Sequence, residues 1–233
     1  MLFRDRIDAG RQLATALREF EARGDAVVLA LPRGGVPVGF ALAQELRLPL
    51  DVFLVRKLGV PGQEELAMGA VAALPGPIQS GQAGDSHPGG VRVLNSEVVH
   101  ELGITPQQID LVAAAEEQEL ERRARVFREG HPQIDVRDKI AILVDDGLAT
   151  GSTMRAAVKA LRQGEPRQIV VAVPVGAAVT CDLLRSEADR VVCLMTPEHF
   201  FAVGQWYSDF RQTTDEEVRE LLRQARGETR SVA

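Results

Sequence analysis

KIAILVDDGLATGSTMRAAVKALRQ, residues 139 to 163, runs from strand through loop to helix. Ile140 to Val144 form a short apolar run of the kind buried in a parallel sheet. Asp145 and Asp146 end it, a loop of small and hydroxylated residues follows, and the spacing from Thr153 onward is helical. The alternation continues downstream: strand QIVVAVPV (168–175), helix AAVTCDLLRSEA (177–188), strand RVVCLMT (190–196). Upstream, the apolar run AVVLAL (26–31) stops at PRGG, a helix runs through VPVGFALAQEL (36–46), and a second strand is expected over LDVFLVRKL (50–58). Strands alternating with helices of about a dozen residues or fewer imply crossovers and an α/β fold, a mainly parallel central sheet flanked by helices.

Other segments read as appendages to that core. Phe3, Ile7, Gly10, Ala14 and Leu17 share one face of an opening helix. AMGAVAAL (67–74) reads as a strand, and PGPIQSGQAGDSHPGG (75–90), almost all turn-formers, as a mobile loop. Thr105, Pro106 and Gln108 provide the cap, first-turn proline and capping-box partner of a long helix whose mostly apolar face, Ile109, Val112, Glu116, Leu120 and Phe127, is expected to be buried. A single domain is expected over 1–233: a core from about 24 to 198, a small hood made by the N-terminal helix and about 199–226, and a flexible loop over about 59–95.

At 233 residues and 45% hydrophobic the chain can bury a proper core, while a formal net charge of −6 offers no broad attraction to nucleic acid or anionic membrane. Cys181 and Cys193 lack the clustered partners of a disulfide scaffold or zinc site, so both read as thiols in a reducing compartment. The N-terminal stretch is interrupted by Asp5, Asp8 and Glu19, which argues against a signal peptide or membrane span and for the cytoplasm. His87, His100, His131 and His199 show no ligand spacing.

PRGG, RKLG, DDGLATGST and PVGAA each lie at the carboxyl end of an expected strand, so the fold gathers them at one rim, where ligands of such sheets bind. Taken singly, Arg56 and Lys57 would be solvated charges and PRGG an ordinary turn. In the third loop Gly147, Ala149 and Gly151 let the backbone approach a ligand, Thr150, Ser152 and Thr153 supply hydroxyls, and the following helix presents its amides. That cup suits a phosphate monoester. No lysine follows Gly151, so it is not the loop of a triphosphate-binding protein. Asp145 and Asp146 would repel the phosphate, so they should face vicinal ribose hydroxyls or Mg²⁺. Arg33, Gly34 and Gly35 with Arg56 and Lys57 form a second cationic zone, suited to a pyrophosphate.

AILVDDGLATGST resembles the signature of the type I phosphoribosyltransferases for 5-phosphoribosyl-1-pyrophosphate. LALPRGGVPVGFALAQEL, VRKLGVPGQEELAMGAVA and TPEHFFAVGQWYSDF are similar to an uncharacterised bacterial subgroup of that family. The resemblance implies transfer of the phosphoribosyl group to a nitrogen nucleophile, a nucleobase or related heterocycle, with Mg²⁺ as cofactor and pyrophosphate as leaving group. It places Thr150 to Thr153 on the 5-phosphate, and Asp145 and Asp146 on the 2- and 3-hydroxyls with the metal nearby. It places Arg33 and Gly34 in the pyrophosphate loop, where a strained peptide bond is usual, and Arg56 and Lys57 on the same group. The hood would contact the acceptor through Val175, His199, Phe200, Trp206 and Tyr207, although at least two of Phe200, Phe201, Trp206 and Tyr207 are expected in the core. Family members are commonly dimers, which makes a homodimer the expected assembly. The chain departs from the pattern in a longer loop over 75–90 without Arg or Lys, and in the lack of a recognisable base reader. Glu64, Glu65, Glu198 and Asp209 remain equal candidates for a general base. Rival readings are a non-catalytic regulator that binds the sugar pyrophosphate or a nucleotide, and a phosphatase using Asp145 as nucleophile.

Overall fold

A computed structural model describes residues 2–74, 86–87 and 90–228. Helix α1 (Arg6–Ala16) is capped by Asp5, which accepts from the Asp8 amide, and leads into strand β1 (Ala26–Ala30), buried at every position. Helix α2 (Gly35–Leu46) follows, then β2 (Leu50–Val52), β3 (Val55–Val60) and β4 (Gln63–Ala72). A two-residue strand β5 (Ser86–His87), β6 (Gly90–Leu94) and the short helix α3 (Ser96–Glu101) lead to α4 (Pro106–Arg128), whose Thr105–Gln108 capping box is formed. The chain closes through β7 (Ile140–Val144), α5 (Ser152–Arg162), β8 (Gln168–Val175), α6 (Ala178–Arg185), β9 (Arg190–Met195) and α7 (Asp215–Ala225).

The main sheet has five parallel strands in the order β2-β1-β7-β8-β9. Because side chains alternate across a strand, each strand feeds two cores. Val28, Ala30, Ile142, Val144, Val170 and Ala172 face α1, α2, α4 and α7, while Val27, Leu29, Leu143, Val171 and Val173 face α5 and α6. Each fully buried Val, Leu or Ile among them contributes roughly 1.5–3 kcal/mol. The expected α/β architecture is therefore present, and α1 packs into the main core through Leu13, Ala14 and Leu17.

Two expectations need correction. Residues 50–58 are not one strand: the chain leaves the parallel sheet at Phe53 and Leu54, and Val55–Val60 joins a second, antiparallel sheet ordered β3-β4-β6-β5. Asp51 anchors the end of the first half, accepting from the Ile134 amide at 3.1 Å and pairing with buried Arg128 at 3.3 Å. The span 59–95, expected as a flexible loop, is strand over most of its described part, because Met68, Ala70 and Ala72 pack inward. Of the expected loop 75–90, only Ser86, His87 and Gly90 lie within the described residues. Arg92 ties this sheet to α4 by hydrogen bonds to Glu117 and Asp110.

The N-terminal segment meets the segment that precedes α7. The Phe3 amide donates to the Trp206 carbonyl at 2.9 Å, and the Ser208 and Asp209 amides donate to the Phe3 and Arg4 carbonyls. Among the described residues no helix is long and apolar enough to cross a membrane.

Candidate functional site

Strands β1 and β7 are neighbours in register, Ala30 beside Val144, so the residues that follow them emerge side by side. Leu31 donates its amide to the Val144 carbonyl at 2.8 Å, which carries the pairing one residue further. The next residues of one strand are Pro32–Gly35, joined by a cis peptide between Pro32 and Arg33. Those of the other are Asp145 and Asp146. The glycines allow the two loops to touch: a Cβ on Gly34 would collide with Asp146 Oδ2, and one on Gly35 would lie 2.7 Å from the Val144 carbonyl and 2.9 Å from the Asp145 Cα.

The acids have defined partners. The Asp146 amide donates to Asp145 Oδ1 at 2.8 Å. Arg6, from the first turn of α1, donates through Nε to Asp146 Oδ2 at 2.8 Å and through Nη1 to the Arg211 carbonyl at 2.7 Å. Its guanidinium lies 3.9 Å from the centre of the Phe210 ring. The Tyr207 hydroxyl donates to the Asp146 carbonyl at 2.6 Å. Burial, and then the charge of Asp146, holds the Asp145 carboxyl well above the usual carboxylate range. Burial also raises Asp146, against the pull of Arg6. Both shifts reflect the cost of taking a carboxylate away from water, to which the neighbouring charge adds at Asp145.

Beyond the acids, Leu148 bridges to Gly176 at the end of β8, which brings the last of the four loops to the same rim. Gly151 sits at the cap of α5 with φ +70°, and a Cβ there would collide with Thr180 Cγ2. Thr180 in turn donates to the Ala149 carbonyl at 2.7 Å and braces the turn. Thr150 and Thr153 are exposed, and the Thr150 and Ser152 hydroxyls stand 3.3 Å apart. Hydroxyls and helix N-terminal amides thus converge on solvent, an arrangement that can receive a phosphate.

The basic residues separate. Arg33 lies 3.6 Å from Asp215 at the start of α7. Arg56 donates to Glu116 of α4 at 2.6 Å, and with Pro32, Arg123 and Thr153 it lines a cavity of about 30 Å³. Lys57, the next residue in a strand, projects from the opposite face beside Ala70 and has no ion-pair or hydrogen-bond partner among the described residues. The hood residues divide as well. Val175 and Tyr207 are buried with Phe3 and Ala9, Phe200 and Trp206 pack against them, and His199 and Phe201 are exposed. Glu198 and Asp209 are exposed, and the side chains of Glu64 and Glu65 lie outside the described residues.

Arg6 and Phe210 escaped the sequence reading. Nothing in periodicity joins residues 140 positions apart. The available signal was charge accounting: adjacent buried acids call for a cation, and the nearby Arg33 and Arg155 are paired with Asp215 and Glu187 instead.

Comparison with known proteins follows the same outline. The family model for the phosphoribosyl transferase domain matches residues 4–211. Two curated relatives, both from Mycobacterium tuberculosis, are 46% identical over 224 residues, and their names give phosphoribosyl transferase as a provisional activity. The alignment takes in 96% of this chain and 47% of each relative, so the chain spans about half their length. The crystal structure of TT1426 from Thermus thermophilus superposes with a TM-score of 0.79 and 39% identity, over 95% of this chain and 98% of that one.

Proposed function

The chain belongs to the phosphoribosyl transferase domain family, and from that premise we propose that it moves the 5-phosphoribosyl group of 5-phosphoribosyl-1-pyrophosphate onto a nitrogen nucleophile, releasing pyrophosphate. The observation that carries this reading is the contact between the Pro32–Gly35 backbone and the paired acids beside the hydroxyl-lined turn at 150–153. One sugar bearing a 5-phosphate and a 1-pyrophosphate would need all three features together.

In this reading Thr150, Gly151, Ser152 and Thr153 hold the 5-phosphate by hydroxyls and amides, with exposed Ala149 leaving the approach open and Gly147 instead making room for Val203 behind the loop. Asp145 and Asp146 accept from the ribose hydroxyls. Arg33, with the Gly34 and Gly35 backbone, takes the pyrophosphate; Arg56, which shares a cavity lining with Pro32, is placed to approach it, whereas Lys57 lies on the other face of β3 and falls out of this set. The acceptor is a nucleobase or related heterocycle, held under His199, Phe200 and Trp206, with Val175 and Tyr207 as the packing behind them. As the C1–O bond to pyrophosphate breaks and the C1–N bond forms, the protein works by positioning and by stabilising the leaving group. Loss of one such donor costs about 2.7–4 kcal/mol.

The donor set suits Mg²⁺. Asp145 Oδ2 and Asp146 Oδ1 have no hydrogen-bond partner among the described residues, and hard oxygens of this kind hold Mg²⁺ together with substrate phosphates. When bound, the ion would neutralise charge on the pyrophosphate. By family analogy we place the protein in the cytoplasm as a homodimer; its net charge of −6 argues against nucleic acid as a partner.

Calorimetric titration with 5-phosphoribosyl-1-pyrophosphate and Mg²⁺, followed by a nucleobase screen for pyrophosphate release, tests the proposal. Binding that Asp145→Asn/Asp146→Asn abolishes, together with turnover of one base, is the expected result. Binding without turnover on any base would turn the reading into that of a sensor, and no binding at all would end it.

A further inference from the structure

We propose that Arg6 is a positioning residue for recognition of the ribose diol: it fixes the Asp146 carboxylate so that one oxygen of each acid faces the sugar. The inference rests on the function proposed above and assigns a role to a side chain outside every strand-end loop.

Arg6 is held from three directions. Its Nε contacts Asp146 Oδ2 at 2.8 Å, its Nη1 contacts the Arg211 carbonyl at 2.7 Å, and the Phe210 ring centre lies 3.9 Å from its guanidinium carbon. The paired side chains are only 10% and 15% exposed. A planar fork held this way sets the plane of the carboxylate it bonds, which a lysine ammonium on a flexible stem does not do. A buried ion pair is a poor device for stability alone, since desolvation consumes most of its gain. Its use here lies in what it leaves over.

Of the four carboxylate oxygens, Asp146 Oδ2 is taken by Arg6 and Asp145 Oδ1 by the Asp146 amide. The Gly34 Cα stands against Asp146 Oδ2, and Gly35 stands against the Asp145 backbone and Oδ1. Asp145 Oδ2 and Asp146 Oδ1 remain. Two acceptors on adjacent residues match two vicinal hydroxyls, each of which has one proton to donate. Without Arg6, Asp146 could rotate and present either oxygen, and the fit to a diol would be lost while the phosphate turn at 150–153 stayed intact.

The test compares ribose 5-phosphate, 2-deoxyribose 5-phosphate and inorganic phosphate by calorimetry on wild type, Arg6→Gln and Arg6→Lys, with melting curves in parallel. One hydrogen bond to a charged group corresponds to about a tenfold preference of wild type for the ribo over the deoxyribo sugar. Both variants should lose most of that preference and keep their affinity for inorganic phosphate. A folded Arg6→Gln that still discriminates tenfold would overturn the role. If Arg6→Gln does not fold, Phe210→Leu carries the test, with an expected two- to threefold drop in preference and an unchanged preference as the refuting result. A wild type that binds inorganic phosphate but neither sugar would instead sink the functional reading, and this inference with it.

Discussion

Asp145→Asn should stabilise the protein and cripple it together. The carboxylate is penalised first by burial and next by the charge of Asp146, whereas an asparagine of nearly the same shape keeps an oxygen to accept from the Asp146 amide at 2.8 Å. The substitution removes a charge and preserves the contact. Relief of a cost retained for function commonly yields about 0.5–2 kcal/mol. In a chain of this size 1 kcal/mol moves the midpoint by about 2–4 °C, so a rise of about 1–8 °C is expected near neutral pH. The pH dependence has a definite sign. A carboxyl whose pKa is raised by folding contributes stability at low pH, and the wild type loses that contribution as pH rises through the folded-state value. The difference between variant and wild type should therefore be small near pH 3 and grow toward pH 8. Differential scanning calorimetry from pH 3 to 8, paired with titration of 5-phosphoribosyl-1-pyrophosphate, reads both halves, and binding should weaken by about tenfold or more. A variant less stable than wild type at pH 7, or a gain that is the same at every pH, would refute the assignment of a strained carboxylate at this position.

Gly151→Ala forces a side chain into a φ of +70° and against Thr180 Cγ2. It should lower stability by about 1–2 kcal/mol in denaturant titrations and weaken inorganic phosphate binding. Arg56→Ala and Lys57→Ala should part company: the first breaks the 2.6 Å contact with Glu116, lowers the melting midpoint and weakens pyrophosphate affinity by calorimetry, whereas the second stays within about 0.5 kcal/mol of wild type and leaves that affinity unchanged.

The parallel core was legible because its strands are short apolar runs that stop at glycine, proline or acid, and because each is followed by a helix. Asp145 and Asp146 were legible for the same reason, since a strand end fixes where its next two residues point. The antiparallel sheet was obscured by Ala67, Gly69, Ala70 and Ala72, small residues that carry little period-two signal, and by a strand that changes sheets at Phe53 without a turn residue to mark it. Adjacent basic residues in a strand point to opposite faces, so Arg56 and Lys57 could not form one patch; the strand expected over 50–58 already contained both, and its alternation alone separates them. The Arg6 contact was not legible, because no local pattern encodes a meeting across the length of the fold.

The contact between residues 3–6 and 206–211 also governs when the brace around the acids can form during synthesis. Arg6 leaves the ribosome early, yet its carbonyl partner on Arg211 lies 205 positions later. Loop-closure entropy grows slowly with length, by about 0.6 kcal/mol per doubling, but such a contact still waits for the intervening sheet to bring its ends together. A nascent chain that stops near residue 200 holds both acids and every strand of the parallel sheet, and lacks the Tyr207 hydroxyl, the Phe210 ring and the Arg211 carbonyl that brace them. Folding of the sheet can therefore precede the brace around the acids, which is complete only once residues 207–211 have been made.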